Sequence, residues 1–210
     1  VQSVPEPDLR RPARPVRVEV WRYVGTEAEP VLPPPPGEVA AAVRDVATHD
    51  WWSPLEAYDR AVALSGCEPV HLMSVLTHPP APPEDETGRL LARHAPQLWV
   101  RAVQVWACLG IAHHRADEPW AESWRRTILA DLLNGPEDWV TEAAAFAIVV
   151  TAWVDPDARP DAYGLVARRM LDLVRARQER EVTILTSMCV LVLMLPGAPD
   201  EVTSLAKDVL

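Results

Sequence analysis

The residues of this chain able to do chemistry are chiefly its six histidines, three cysteines and thirty carboxylates, and their spacing decides what they can share. The densest group is His113-His114, followed by Asp117 and Glu118. Adjacent positions on a helix point about 100° apart, so these two imidazoles do not chelate one ion as an i, i+4 pair does. The competing reading is a polar helix end, where histidine meets the negative end of the helix dipole. A second group, Thr48-His49-Asp50-Trp51-Trp52, brings an imidazole, a carboxylate and two indoles to the end of another helix. It reads either as a site that stacks a ligand and moves a proton, or as a capped terminus whose indoles staple neighbouring helices. His71, His78 and His94 stand alone and suit surface or internally satisfied positions better than ligation.

No GxSxG, P-loop, dinucleotide fingerprint, HExxH or flanked catalytic cysteine occurs in the sequence. Neither a metal site nor a cofactor is therefore expected. Catalytic sites assembled from dispersed residues leave no local pattern, which keeps an enzyme or small-molecule binder as the alternative reading.

The formal net charge is −10 and the pI about 5.0, a field that argues against nucleic acid and against anionic membrane surfaces, both of which need clustered Lys and Arg. The longest apolar runs, 143–150 and 188–195, fall well short of the roughly 20 residues a membrane span needs. Cys67, Cys108 and Cys189 sit singly in apolar patterns without CxxC spacing, which points to buried free thiols, a reducing compartment and a cytoplasmic location. The chain opens on Val1 with no signal-peptide pattern, so it is read as trimmed or as a piece of something longer.

These residues must be positioned by helices. Nine Trp stand against one Phe and three Tyr, and Ala, Val and Leu fill the apolar runs, with little period-two alternation. The exception is Val16-Arg17-Val18-Glu19-Val20-Trp21-Arg22-Tyr23-Val24, a strand pattern inside a proline-rich arm over 1–37 that closes on Pro33 to Pro36. From Gly37 the spacing becomes helical. Helices are predicted near 38–48, 54–65 and 69–76, forming an N-terminal unit over 38–78. Beyond the break Pro79-Pro80-Ala81-Pro82-Pro83, they are predicted near 84–94, 96–114, 120–134, 137–154, 160–178, 181–195 and 199–210. The short gaps force neighbouring helices to pack antiparallel.

The second region repeats itself. A shift of 41 places Ala102, Val105, Trp106 and Leu109 over Ala143, Phe146, Ala147 and Val150, while Leu129 and Leu132 fall on Met170 and Leu173. A further 42 places Val140, Phe146 and Ala147 over Val182, Met188 and Cys189. Residues 84–210 thus resemble HEAT-like or armadillo-like repeats. The resemblance implies an all-α fold of antiparallel helix pairs stacked as a short solenoid, whose inner helices 96–114, 137–154 and 181–195 line a concave binding surface. In this register Arg101 and Glu142 are equivalent and should pair, with Trp99, Gln104 and Trp139 in the same layers. They read as an interhelical ion pair beside core tryptophans before they read as anchors for a ligand or peptide.

Arg168, Arg169, Arg175, Arg177 and Arg180 make one helix locally basic, partly offset by Asp172. A solvated outer face and a contact for an acidic partner both fit. The function expected overall is a non-catalytic helical-repeat domain that binds a protein or peptide, with homo-oligomer formation through the N-terminal arm a further expectation.

Overall fold

The computed structural model describes residues 32–49 and 53–210. The expected strand over 16–24, most of the proline-rich arm and Asp50, Trp51 and Trp52 lie outside the described residues. Within them every regular element is helical. The α-helices are α1 (Gly37–Ala47), α2 (Pro54–Ala61), α3 (Pro69–Thr77), α4 (Glu86–His94), α5 (Pro96–His113), α6 (Trp124–Leu133), α7 (Trp139–Val154), α8 (Arg159–Ala176), α9 (Leu185–Met194) and α10 (Asp200–Val209).

Local chemistry sets the starts of these helices, and explains where they depart from the sequence expectation. Asp85 accepts a hydrogen bond from the Gly88 N–H at 2.7 Å, so α4 starts at Glu86 and not at 84. The helix expected from 120 is broken in two, because Ser123 turns out of helical geometry to cap Arg126, leaving Trp120–Glu122 as a separate 3-10 turn. Asp138 takes the N-cap of α7 by accepting from the N–H groups of Val140 and Thr141 at 3.0 and 3.1 Å. The helix expected from 181 begins only at Leu185, since Glu137 holds Thr183 in a non-helical bend through its backbone N–H and its hydroxyl. Proline occupies the first turn of α2, α3, α5 and α8, where its missing N–H is no loss.

Three strongly apolar helices, α5, α7 and α9, form the centre. α7 packs between α5 and α9; α6 lies against both α5 and α7, α8 against both α7 and α9, and α10 against α9. α1, α3 and α4 cover α5 on its other side, and α2 touches both α5 and α7. One continuous core results, running from Val43 and Leu72 through Trp106, Leu129 and Ile148 to Met170, Met188 and Val192. α5 and α7 are buried around most of their circumference because other helices flank them on several sides.

The interval seen in the sequence recurs as physical contact. Three hydrogen bonds join residues 41 apart: Arg101 to Glu142, Trp120 Nε1 to Asp161, and Trp153 Nε1 to the Met194 carbonyl.

Two glycines are required for close approach. A Cβ on Gly110 would stand 2.9 Å from Leu64 Cβ, and one on Gly88 only 1.9 Å from the Pro83 carbonyl oxygen. Gly88→Ala must therefore push the α4 start away from the proline-rich break, at an expected cost of about 1–2 kcal/mol. Urea denaturation checks this, and an unchanged midpoint would mean that the break shifts freely.

Candidate functional site

Helices α5, α7 and α9 carry a polar ladder. On α5, Arg101 Nη2 donates to Glu142 Oε2 of α7 at 2.8 Å, and the other carboxylate oxygen, Oε1, accepts from the Ser187 hydroxyl of α9 at 2.7 Å. One carboxylate thus ties three helices together. The Arg101 guanidinium also lies 5.3 Å from the centre of the Trp139 ring, in cation–π range. Helical spacing adds apolar neighbours on the same strip: Leu98, exposed at 60%, is one turn before Arg101, and half-buried Phe146 is one turn after Glu142.

Arg101 remains 44% exposed, so its ion pair sits in solvent and contributes little to folding. Arg101→Ala is expected to lower stability by less than about 1 kcal/mol. That leaves the residue free to be tested for binding, with thermal denaturation as the check.

Of the residues singled out in the sequence, the structure brings Arg101, Trp139 and Glu142 together and sets Trp99 and Gln104 apart. Trp99 is buried and its Nε1 donates to the Pro80 carbonyl at 2.7 Å, fastening the proline-rich break to α5. Gln104 is fully buried and its Nε2 donates to the Leu76 carbonyl at 3.3 Å, while Oε1 has no hydrogen-bond partner. His49 lies at the exposed end of α1 with Nδ1 2.8 Å from the Asp45 carbonyl oxygen, which also accepts from the Thr48 hydroxyl. Its neighbours Asp50, Trp51 and Trp52 lie outside the described residues.

His113 closes α5 and is buried, with its ring centre 4.0 Å from that of Tyr58 at a 36° tilt and its Nε2 2.6 Å from the Tyr58 carbonyl oxygen. Burial pushes its pKa below the usual histidine value, outweighing that hydrogen bond. A lowered pKa means that the folded state holds the neutral ring. The His113 contribution to stability is complete above pH about 6.5 and is lost as the pH falls below that value. His113→Gln should flatten this acid limb in denaturation curves recorded from neutral to mildly acidic pH. An acid limb left intact would assign it to other groups.

The arginine cluster is dispersed. Arg168 and Arg175 line a shallow open groove of about 400 Å³ along α8 together with Tyr163, Leu171 and Asp172, and Arg175 pairs with Asp172 at 3.3 Å. Arg169 turns inward and donates to the Gly135 carbonyl, whereas Arg180 pairs with Glu137. Burial alone would raise the Glu137 carboxyl, but hydrogen bonds from Arg180 and the Thr183 N–H hold it below the ordinary value.

Sequence reasoning missed Ser187 and the surroundings of Arg125. Arg125 is 2% exposed, and its guanidinium donates to the carbonyls of Ala112 at 3.0 Å, Glu118 at 3.1 Å and Ala116 at 3.3 Å. It also lies 5.4 Å from the Trp120 ring centre and 3.8 Å from Asp155. Arg126 and Trp120 Nε1 both donate to Asp161, and together outweigh the effect of burial to keep that carboxyl below its usual pKa. Nothing in the local sequence separates the buried Arg125 from its half-exposed neighbour Arg126.

Among the described residues no group of three or more His, Cys, Asp or Glu side chains is placed to hold a metal ion, and no helix is long and apolar enough to cross a membrane. Cys67, Cys108 and Cys189 are free thiols, the last two buried. What fold and site together define is an all-α protein with an aromatic and charged strip running across its central helices. Comparison with models of protein families, with curated proteins and with solved structures finds no match.

Proposed function

We propose that this chain is a HEAT-like or armadillo-like helical-repeat domain that binds a protein or peptide segment along α5, α7 and α9, acting as a non-catalytic interaction module in the cytoplasm. The observation that carries the reading is the ladder Arg101–Glu142–Ser187, which crosses the three central helices beside Trp139 and the exposed Leu98. Contacts between residues 41 apart support a stacked arrangement of α-hairpins, in which such a strip runs along the inner side. A half-buried indole beside an arginine, with the exposed Leu98 nearby, has the composition of a binding hot spot. The net charge of −10 favours a basic or neutral partner over nucleic acid.

A displayed random-peptide library selected on the intact chain tests the proposal, with affinities of the selected peptides measured for wild type, Leu98→Asp and Trp139→Ala. Loss of a central aromatic anchor is expected to weaken binding by about 2 kcal/mol, some thirty-fold. Selected peptides that bind both variants as tightly as wild type would place the binding surface elsewhere. A thermal-shift screen with metabolites covers the enzyme or small-molecule alternative, since a ligand at 100 times its Kd adds about 2.7 kcal/mol of stability.

A further inference from the structure

Glu142 divides its carboxylate between two helices. Oε2 accepts from Arg101 Nη2 at 2.8 Å and Oε1 from the Ser187 hydroxyl at 2.7 Å. An arginine that faces an unshared carboxylate commonly closes two parallel hydrogen bonds to it, which strengthens the pair and fixes its geometry. Here Ser187 takes one of the two oxygens, and among the described residues Arg101 gives a hydrogen bond through Nη2 alone. Its guanidinium lies over the Trp139 ring, and the side chain is 44% exposed. The other N–H groups of Arg101 are therefore uncommitted.

Ser187 stands in the first turn of α9, so its place depends on where that helix begins. Glu137, buried in the link before α7, sets that beginning. One of its carboxylate oxygens accepts from Arg180, the other accepts from the Thr183 N–H at 3.1 Å, and its backbone carbonyl accepts from the Thr183 hydroxyl at 3.0 Å. A carboxylate engaged by a guanidinium and a backbone N–H away from water holds its partners firmly. Glu137 with Thr183 and Glu142 with Ser187 thus fasten the start of α9 to the start of α7 at two points. The first point fixes the helix, and the second reaches the ladder.

We propose that Glu137 and Ser187 are positioning residues for the binding strip: by keeping Oε1 of Glu142 occupied, they hold Arg101 to a single hydrogen bond and leave the rest of its guanidinium to take an acceptor oxygen of a bound segment. The inference rests on the reading of α5, α7 and α9 as the binding surface. When Ser187 is withdrawn, Glu142 offers both oxygens to Arg101, the two close a bidentate pair, and the strip loses its donor. Glu137 acts at one remove, through the place it gives to α9.

Modification of Arg101 by phenylglyoxal, a reagent for accessible guanidinium groups, reads this without any peptide. In the intact chain, with the sites resolved by mass spectrometry, the rate at Arg101 is expected to fall several-fold in Ser187→Ala and in Glu137→Gln, and to keep its wild-type value in Ser187→Thr, which retains the hydroxyl. Arg115, 67% exposed, serves as the internal control. An unchanged rate in Ser187→Ala overturns the proposal, and a fall in Ser187→Ala without one in Glu137→Gln overturns the part given to Glu137. Should Glu137→Gln fail to fold by circular dichroism, Thr183→Val, which removes the hydroxyl bond alone, takes its place. Peptides selected on the wild-type chain are expected to bind Ser187→Ala about ten-fold more weakly and Ser187→Thr as tightly as wild type. Slower modification with undiminished affinity upholds the positioning role and refutes instead the reading that the strip holds the partner.

Discussion

Arg125→Met is expected to lower the unfolding free energy by about 3 kcal/mol or more, the largest loss of any single substitution considered. Methionine fills much the same volume, so the cost is polar and not a cavity. The carbonyl of Ala112 belongs to the last turn of α5, where no intrahelical donor is available, and the carbonyls of Ala116 and Glu118 lie in the link to α6. All three lose their donor, and Asp155 loses a nearby cation. For a chain of this size the melting temperature should fall by about 6–12 °C. Arg125→Lys keeps the charge but not the planar fork that reaches several carbonyls, and is expected to recover only part of the loss. A drop below about 1 kcal/mol in chemical denaturation would mean that water replaces the guanidinium.

The second large effect has the opposite sign. Asp138 caps α7, yet desolvation pushes its carboxyl from 3.8 up to about 6 against the hydrogen bonds from Thr141 and Val140, the nearby Glu142 adding to the rise. A carboxyl whose pKa is raised on folding favours the folded state most below its unfolded value, and that advantage is lost as the pH climbs through the folded one. The Asp138 contribution therefore declines between pH 3.8 and about 6 and then stays low. Two pH units correspond to about 3 kcal/mol, an upper bound for a side chain that keeps some contact with solvent. Asparagine caps equally well without the charge. Asp138→Asn should thus raise stability at pH 7.5 by about 2 kcal/mol and leave it unaltered near pH 4, whereas Asp138→Ala loses the cap, worth about 1 kcal/mol. A gain of equal size at both pH values would show that the charge is not its source. The His113 effect runs the other way, stability falling as the pH drops below about 6.5, so the two variants together separate the limbs of the wild-type curve.

Helix positions were legible because their determinants are local. Aliphatic residues at helical spacing between proline-bearing breaks placed α1 to α5 within a few residues of where they lie, although the Asp85 cap that starts α4 was not read. Starts set by distant partners were not legible. The late start of α9 follows from Glu137, forty-six residues before the Thr183 that it holds. The same division holds at the candidate site. The pairing of Arg101 with Glu142 could be read from an interval of 41, at which the apolar pattern of α5 falls on that of α7. That Trp99 would face the proline-rich break and Gln104 the end of α3 could not be read, since α5 is apolar nearly all round and its pattern does not distinguish one buried side from another.

Composition and periodicity by themselves determined that the described residues are helical and where most of the helices lie, and they put Arg101 and Glu142 in register. Only tertiary structure decided that Ser187 completes a carboxylate bridge and that Arg125 is buried while Arg126 is not. The physical reason is range. Backbone preferences and caps act over three or four residues and are written into neighbouring letters, whereas desolvation and side-chain pairing depend on which helix lies opposite, and that is fixed only when the helices pack.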